Sequence, residues 1–389
     1  MHKLLSILFI FLSFLAFASC SKNDGPTPEP DIPQTAAKTI FVFMPYTGGT
    51  QSSDLYISFL TNLKDMETSI NQNGGLGNNH LIVYISKNSN VSHLIDFKYK
   101  KGRCVRDTLK TYSSASYTTI SGMTSILNDM KQYAPAEQYA AIIGCHGEGW
   151  LPKNNITRYF GGSKYKIDVA DLAESIHNVG VKMQFMLFDD CYMSGVEVAY
   201  DLRGATDVLI ASTSEMMGYG MPYHKILKYL MIETPDYASL CKDFRSFYDS
   251  YTDYNGRPMN YGTIAVTDIN KIAEMAEFMK AVNSIHTFDM DKIDEVQDLD
   301  VLHYTPTVYF DFGSYLRVLC GDDIATYTEA TKLLEKLVPY KDTTGKIYSW
   351  NGNRSLELKE FSGLTISDPS EYSEAINTKT QTAWWKATH

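Results

Sequence analysis

Five continuous apolar runs, each of strand length and most followed by helical spacing, limit this chain's fold more than any other feature. They are Thr39–Met44 (TIFVFM), His80–Ser86 (HLIVYIS), Tyr139–Gly144 (YAAIIG), Lys182–Phe188 (KMQFMLF) and Asp207–Ser212 (DVLIAS). None alternates apolar with polar residues, as a strand with one wet face would. Strands apolar on both sides need cover on both sides. The stretches between them supply it. Residues 53–70 carry Leu55, Phe59, Leu60, Leu63, Met66 and Ile70 at helical spacing, and residues 118–132, 167–178 and 193–203 also read as helices. Residues 93–111 alternate and break at Lys101-Gly102, which predicts a hairpin. The expected fold is therefore α/β, a mainly parallel sheet flanked by helices on both faces.

Beyond residue 220 the pattern continues. Helices are expected near 222–231, 236–251, 269–285 and 324–338, and strands near 262–267, 345–349 and 355–366. Residues 286–300 are acidic and irregular. Residues 38–285 are read as the main domain and 286–389 as a C-terminal extension packed on it.

The N-terminus reads as an address. MHKLLSILFIFLSFLAFASC has Lys3, an apolar run from Leu4 to Ala18, and small residues before Cys20. The run is short for a membrane span and matches a secretory h-region. Its Ala-Ser-Cys ending resembles a bacterial lipoprotein signal. That implies removal of residues 1–19 and a lipid on Cys20. Residues 20–37 are rich in Pro, Gly and polar residues and are expected to be a flexible tether. The expected location is the cell envelope, anchored to the outer membrane on its periplasmic or surface side, or secreted.

Composition excludes one class. The 389 residues carry a formal net charge of −10 with no Lys/Arg block, so a nucleic-acid partner is not expected. No Cys-x-x-Cys pair occurs, which speaks against a structural zinc site. A monomer is expected.

In parallel sheets, chemistry gathers at the carboxyl ends of strands. Two of the runs end in reactive residues. The third passes into Gly144-Cys145-His146-Gly147-Glu148-Gly149-Trp150, the fourth into Asp189-Asp190-Cys191. A cysteine nucleophile needs an imidazole nearby, because a free thiol is mostly protonated at neutral pH. It also needs donors for an oxyanion, which the N–H groups of Gly147 and Cys191 could supply. The helix expected from residue 193 would turn its N-terminal dipole toward the thiolate.

His-Gly closing one strand and Asp-x-Cys closing the next resemble the clostripain-type cysteine peptidases, members of the caspase-like clan. Further matches follow in order: Gly147-x-Gly149-Trp150, Cys191-x-Met193-x-x-x-Glu197-x-Ala199, Ala211-Ser212-x-x-Glu215, Gly220-x-Pro222-Tyr223, Asp311-Phe312-Gly313-Ser314-Tyr315 and Ser362-Gly363-Leu364-Thr365-Ile366. The resemblance implies a caspase-like fold and an endopeptidase acting on polypeptides. It makes Cys191 the nucleophile, His146 the general base and acid, and Asp189 the acid that receives a basic P1 side chain, so that cleavage follows Arg or Lys. It further implies self-cleavage in the loop 151–166, for which Lys153 and Arg158 are candidates, and it brings calcium as a family expectation, although no EF-hand-like loop is present. Two stretches depart from the family pattern: Cys145 precedes the His-Gly, and Met216-Met217-Gly218-Tyr219 carries no second pocket acid.

Each residue also has a plainer reading. Cys191 could be a core thiol, His146 a loop histidine, and Asp189 a turn or cap carboxylate. Asp190 suits the helix cap better. If the plainer readings held together, the chain would be a catalytically silent surface lipoprotein that keeps the fold as a binding or scaffold module.

Overall fold

The apolar runs lie side by side as strands, bounded by the residues that stop them. The computed structural model describes residues 34–48, 54–151, 160–162 and 165–389, so the signal, Cys20 and most of the tether lie outside the described residues. The main sheet has nine strands. In chain order these are β1 (Ala36–Met44), β2 (Asn79–Asn88), β3 (Val91–Lys100), β4 (Arg103–Tyr112), β5 (Ala136–Gly144), β6 (Met183–Asp189), β7 (Val208–Ala211), β8 (Thr263–Asp268) and β9 (Tyr340–Thr343). Their spatial order is β9-β8-β7-β6-β5-β1-β2-β3-β4.

The middle five strands pair in parallel. At both edges the pairing is antiparallel. The sheet is thus mixed, and the expectation of a mainly parallel sheet holds only for its centre. The reasons are local. The tight turn at Lys101-Gly102 can join only antiparallel neighbours. Between β7 and β8 the chain makes two helices, α5 (Tyr223–Leu230) and α6 (Tyr237–Tyr248), where a parallel crossover makes one. The extra traverse returns it to the opposite end.

Strand alternation sends side chains to two cores. From β1, Ile40, Val42 and Met44 pack among Phe59, Leu63, Ile226 and Phe244, which belong to α1 (Tyr56–Gln72), α5 and α6. Phe41 and Phe43 point the other way, among Met123, Ile126 and Leu172 of α2 (Ile120–Tyr133) and α3 (Val169–Val179). The C-terminal residues extend this second core, and Trp384 is fully buried with its ring edge-on to Tyr200 and Phe312. The polar strand β9 joins the sheet edge beside β8.

One buried cation fixes the sheet's amino end. Lys38 is 1% exposed, and its Nζ donates to the carbonyls of Leu230, Ile232 and Glu233 at 3.2, 2.6 and 3.3 Å. Three donors thus meet three acceptors at the C-terminus of α5. Lys38→Met would leave those carbonyls dry and unpaired. It is expected to cost about 2–4 kcal/mol, read as a lower urea midpoint with an unchanged slope.

Candidate active site

The register of β5 on β6 builds the site. Gly144 pairs with Asp189, so Cys145-His146 and Asp190-Cys191 leave the sheet as neighbours. Asp190 ties the two exits together. Its carboxylate accepts from the Cys145 N–H at 2.6 Å and from the Cys145 thiol at 3.2 Å. Asp190 therefore does not cap the following helix, which was its expected role. That helix, α4 (Val196–Asp201), starts after Gly195 and not at residue 193. Tyr192 is the cause. It adopts φ +61, rare for a bulky residue, and turns the chain sharply beside the thiol. Tyr192 N then donates to Ser214 O, and Ser194 N to Ser212 O. The helix dipole expected at Cys191 is consequently displaced by a turn.

Gly147 is packed against the cysteine's backbone. A Cβ on it would lie 2.4 Å from Cys191 O, 2.6 Å from Asp190 Cβ and 2.9 Å from Cys191 N. Only glycine lets the two loop backbones meet this closely.

His146, Gly147, Asp189 and Cys191 all line one cavity of about 480 Å³, within the range of small-ligand sites. Asp189 accepts from Met221 N at 2.8 Å and from the Tyr223 hydroxyl at 2.9 Å. Gly220, at φ +74, lets the backbone reach it, since a Cβ there would sit 2.6 Å from Asp189 Oδ1. Burial pushes the Asp189 carboxyl up to about 7 against those hydrogen bonds. Each oxygen accepts one bond and retains capacity for a cation. Met216, Met217 and Tyr219 line the same space.

Cys191 is partly buried, and its sulfur accepts from Met216 N at 3.2 Å. Burial pushes its thiol well above the usual range, and the charge of Glu215, then Glu148 and Asp190, adds to the shift. Glu148 and Glu215 belong to the cavity wall together with His303 and Trp350. His303 Nδ1 lies 2.7 Å from Glu215 and its Nε2 3.5 Å from Glu148. Trp350 N donates to the other Glu215 oxygen at 2.9 Å.

Four expected residues are thus brought together. Cys20, Lys153 and Arg158 lie outside the described residues. His303 and Trp350 were missed: His303 comes from an irregular segment, and Trp350 follows the short strand Lys346–Ser349, whose sequence says nothing of the site. The paired Asp298 and Asp300 were the available hint, since acids spaced by one residue often organise a tight loop. Among the described residues every cysteine is unbridged, and no three His, Cys, Asp or Glu side chains are grouped to hold a metal ion. No helix among the described residues is long and apolar enough to cross a membrane.

Comparison with known proteins places the chain in a family. The model of the clostripain family, peptidase family C11, matches residues 46–358. A secreted C11 cysteine protease from Bacteroides thetaiotaomicron, "iotapain", superposes with a TM-score of 0.85 at 40% identity, over 92% of this chain and 100% of that one. An inactive zymogen C11 protease from Parabacteroides distasonis gives 0.78 at 26% identity, over 92% and 99%. A clostripain from Bacteroides thetaiotaomicron in complex with the peptide inhibitor BTN-VLTK-AOMK gives 0.55 at 44% identity, over 59% and 99%. A comparison with curated proteins finds no match.

Proposed function

Because the chain belongs to the clostripain family and is a cysteine-type peptidase, we propose that it cleaves polypeptides after Lys or Arg, with Cys191 as nucleophile and His146 as base and acid. The thiol's proton passes to His146 as the sulfur attacks the scissile carbonyl. The oxyanion forms between the N–H groups of Gly147 and Cys191. His146 then protonates the leaving amine, and water hydrolyses the thioester, returning the thiol.

The observation that carries the P1 reading is the place of Asp189 in the cavity. Glu148 and Glu215 face His303 there and Asp190 accepts from Cys145, whereas Asp189 accepts from Met221 N and the Tyr223 hydroxyl and keeps capacity for a cation, with no lysine or arginine in the lining among the described residues. Asp189 is the acid best placed to receive a cationic side chain, beside the methionines that would cover its aliphatic stem. The VLTK peptide in one relative's complex ends in lysine, which supports the same reading.

Fluorogenic peptides with Lys, Arg, Asp or Asn at P1 test it. Only the basic pair should be hydrolysed. Asp189→Asn should lower kcat/KM for them by about 10²-fold. In the wild type, kcat/KM should rise as pH increases through about 7, since below that value Asp189 holds its proton. The Asn variant should lose that limb. Turnover of the Asp or Asn peptides, or an indifferent Asp189→Asn protein, would sink the P1 assignment.

The same proposal includes self-cleavage at Lys153 or Arg158 and a lipid on Cys20, both supported by sequence. Lipid labelling lost in Cys20→Ser, and a nick after either basic residue lost in Cys191→Ala, are the expected results.

A further inference from the structure

We infer that His303 is a positioning residue for the nucleophile: a cation clamped between Glu148 and Glu215 that cancels their charge beside Cys191. The inference rests on Cys191 being the nucleophile.

The geometry requires the charge. A neutral imidazole has one N–H and one lone pair. Here each ring nitrogen faces a carboxylate, Nδ1 toward Glu215 at 2.7 Å and Nε2 toward Glu148 at 3.5 Å. The imidazolium serves both, whereas a neutral ring donating from Nδ1 to Glu215 would leave its Nε2 lone pair facing Glu148, whose Oε2 also accepts from the Tyr304 hydroxyl. Solvent screens little, since the His303 and Glu215 side chains are 15% and 5% exposed. Burial would lower the His303 pKa, but bonding to Glu148 and Glu215 outweighs it and holds the ring up to about 9.

The surrounding loop holds the ring in place. His303 also faces the carboxylate of Asp300, the rings of Tyr192 and Tyr304, and the amide of Asn351. Val301 and Leu302 before it both have positive φ, a strain that needs fixing from outside. Asp298 supplies it by accepting from the N–H groups of Asp300 and Val301, and Asp300 by accepting from Val308 and Tyr309.

Both partners of His303 act on the thiol. Glu148 follows His146 by two residues. Glu215 precedes Met216, whose N–H binds the Cys191 sulfur. Their charges oppose the thiolate, with Asp190 adding to them and His146 sharing the cavity. Without His303, two poorly solvated carboxylates would stand unbalanced beside it.

The test is the pH dependence of Cys191 alkylation by iodoacetamide in the full chain, followed on the Cys191 peptide by mass spectrometry. This reads the thiol whether or not turnover occurs, so failure of the nucleophile assignment, seen as an active Cys191→Ala protein, remains distinct. His303→Gln keeps a donor and loses the charge. Its alkylation midpoint should rise by about one pH unit, giving about tenfold slower labelling at pH 7, with kcat falling more than KM rises. Adding Glu215→Gln to that variant should bring the midpoint back, as a double-mutant cycle demands. Where His303→Gln does not fold, Glu215→Gln alone supplies the test: with one acid removed, its midpoint should fall below wild type. An unchanged midpoint in folded His303→Gln, or in Glu215→Gln, would overturn the inference.

Discussion

Hydrolysis by the Cys191→Ala protein is expected to fall to background, a loss of about 10⁴-fold or more, while its melting temperature stays near that of the wild type. The two halves of that result have separate causes. In the proposed reaction the acyl bond forms on the sulfur of residue 191, and alanine offers nothing in its place. Yet the side chain is partly exposed at a cavity wall, with one hydrogen bond from Met216 N, so its removal opens little packed volume. The adjacent thiol makes the contrast. Cys145 is 4% exposed and donates to Asp190. Cys145→Ala should loosen the loop and lower stability while retaining turnover. If the effects were exchanged, with Cys145→Ala silent in catalysis and Cys191→Ala active but unstable, the chemistry would have to be reassigned. Paired rate and melting measurements on both proteins decide it.

The second large effect is expected from a single methyl group. Gly147→Ala would bring a Cβ within 2.4 Å of Cys191 O and 2.9 Å of Cys191 N. Both obstacles are backbone, so no side chain can swing away. The loop bearing His146 must retreat, or the nucleophile's turn must. Shifts of about 1 Å in reacting groups cost about 10²-fold, and loss of an oxyanion donor a similar factor. A fall of about 10²–10³-fold in kcat/KM is expected, with about 1–3 kcal/mol of destabilisation from overpacking. Near-wild-type kinetics in this protein would show that Gly147 N–H is not aimed at the reacting carbonyl.

Much of this was readable in the sequence because burial on two faces leaves a plain mark. The runs through Val42, Val83, Ile142, Leu187 and Leu209 could be strands of a covered sheet and little else. Chain order then put His146 and Cys191 at one edge. What escaped notice obeys weaker local rules. The strand β9, Tyr-Lys-Asp-Thr, is polar because an edge strand has one neighbour and a wet flank. Tyr192 takes a left-handed turn although nothing in its chemistry favours one, since the surrounding bonds impose it. That turn moved the helix start to Val196, away from Cys191. His303 is fixed by contacts over long sequence separations, and no periodicity reports those.

The fastening of the nucleophile's turn has a consequence for the order in which the protein is made. Ser194 Oγ donates to Gly363 O, and Thr365 N donates to Ser194 O. Trp350 holds Glu215 in the same way from far downstream. On the ribosome, Cys191 and His146 therefore emerge long before the pieces that lock their surroundings. The central strands can pair early, while the reactive corner stays unbraced until nearly the whole chain has been released. A nascent chain halted near residue 340 would carry both side chains and lack the downstream braces from Trp350, Gly363 and Thr365.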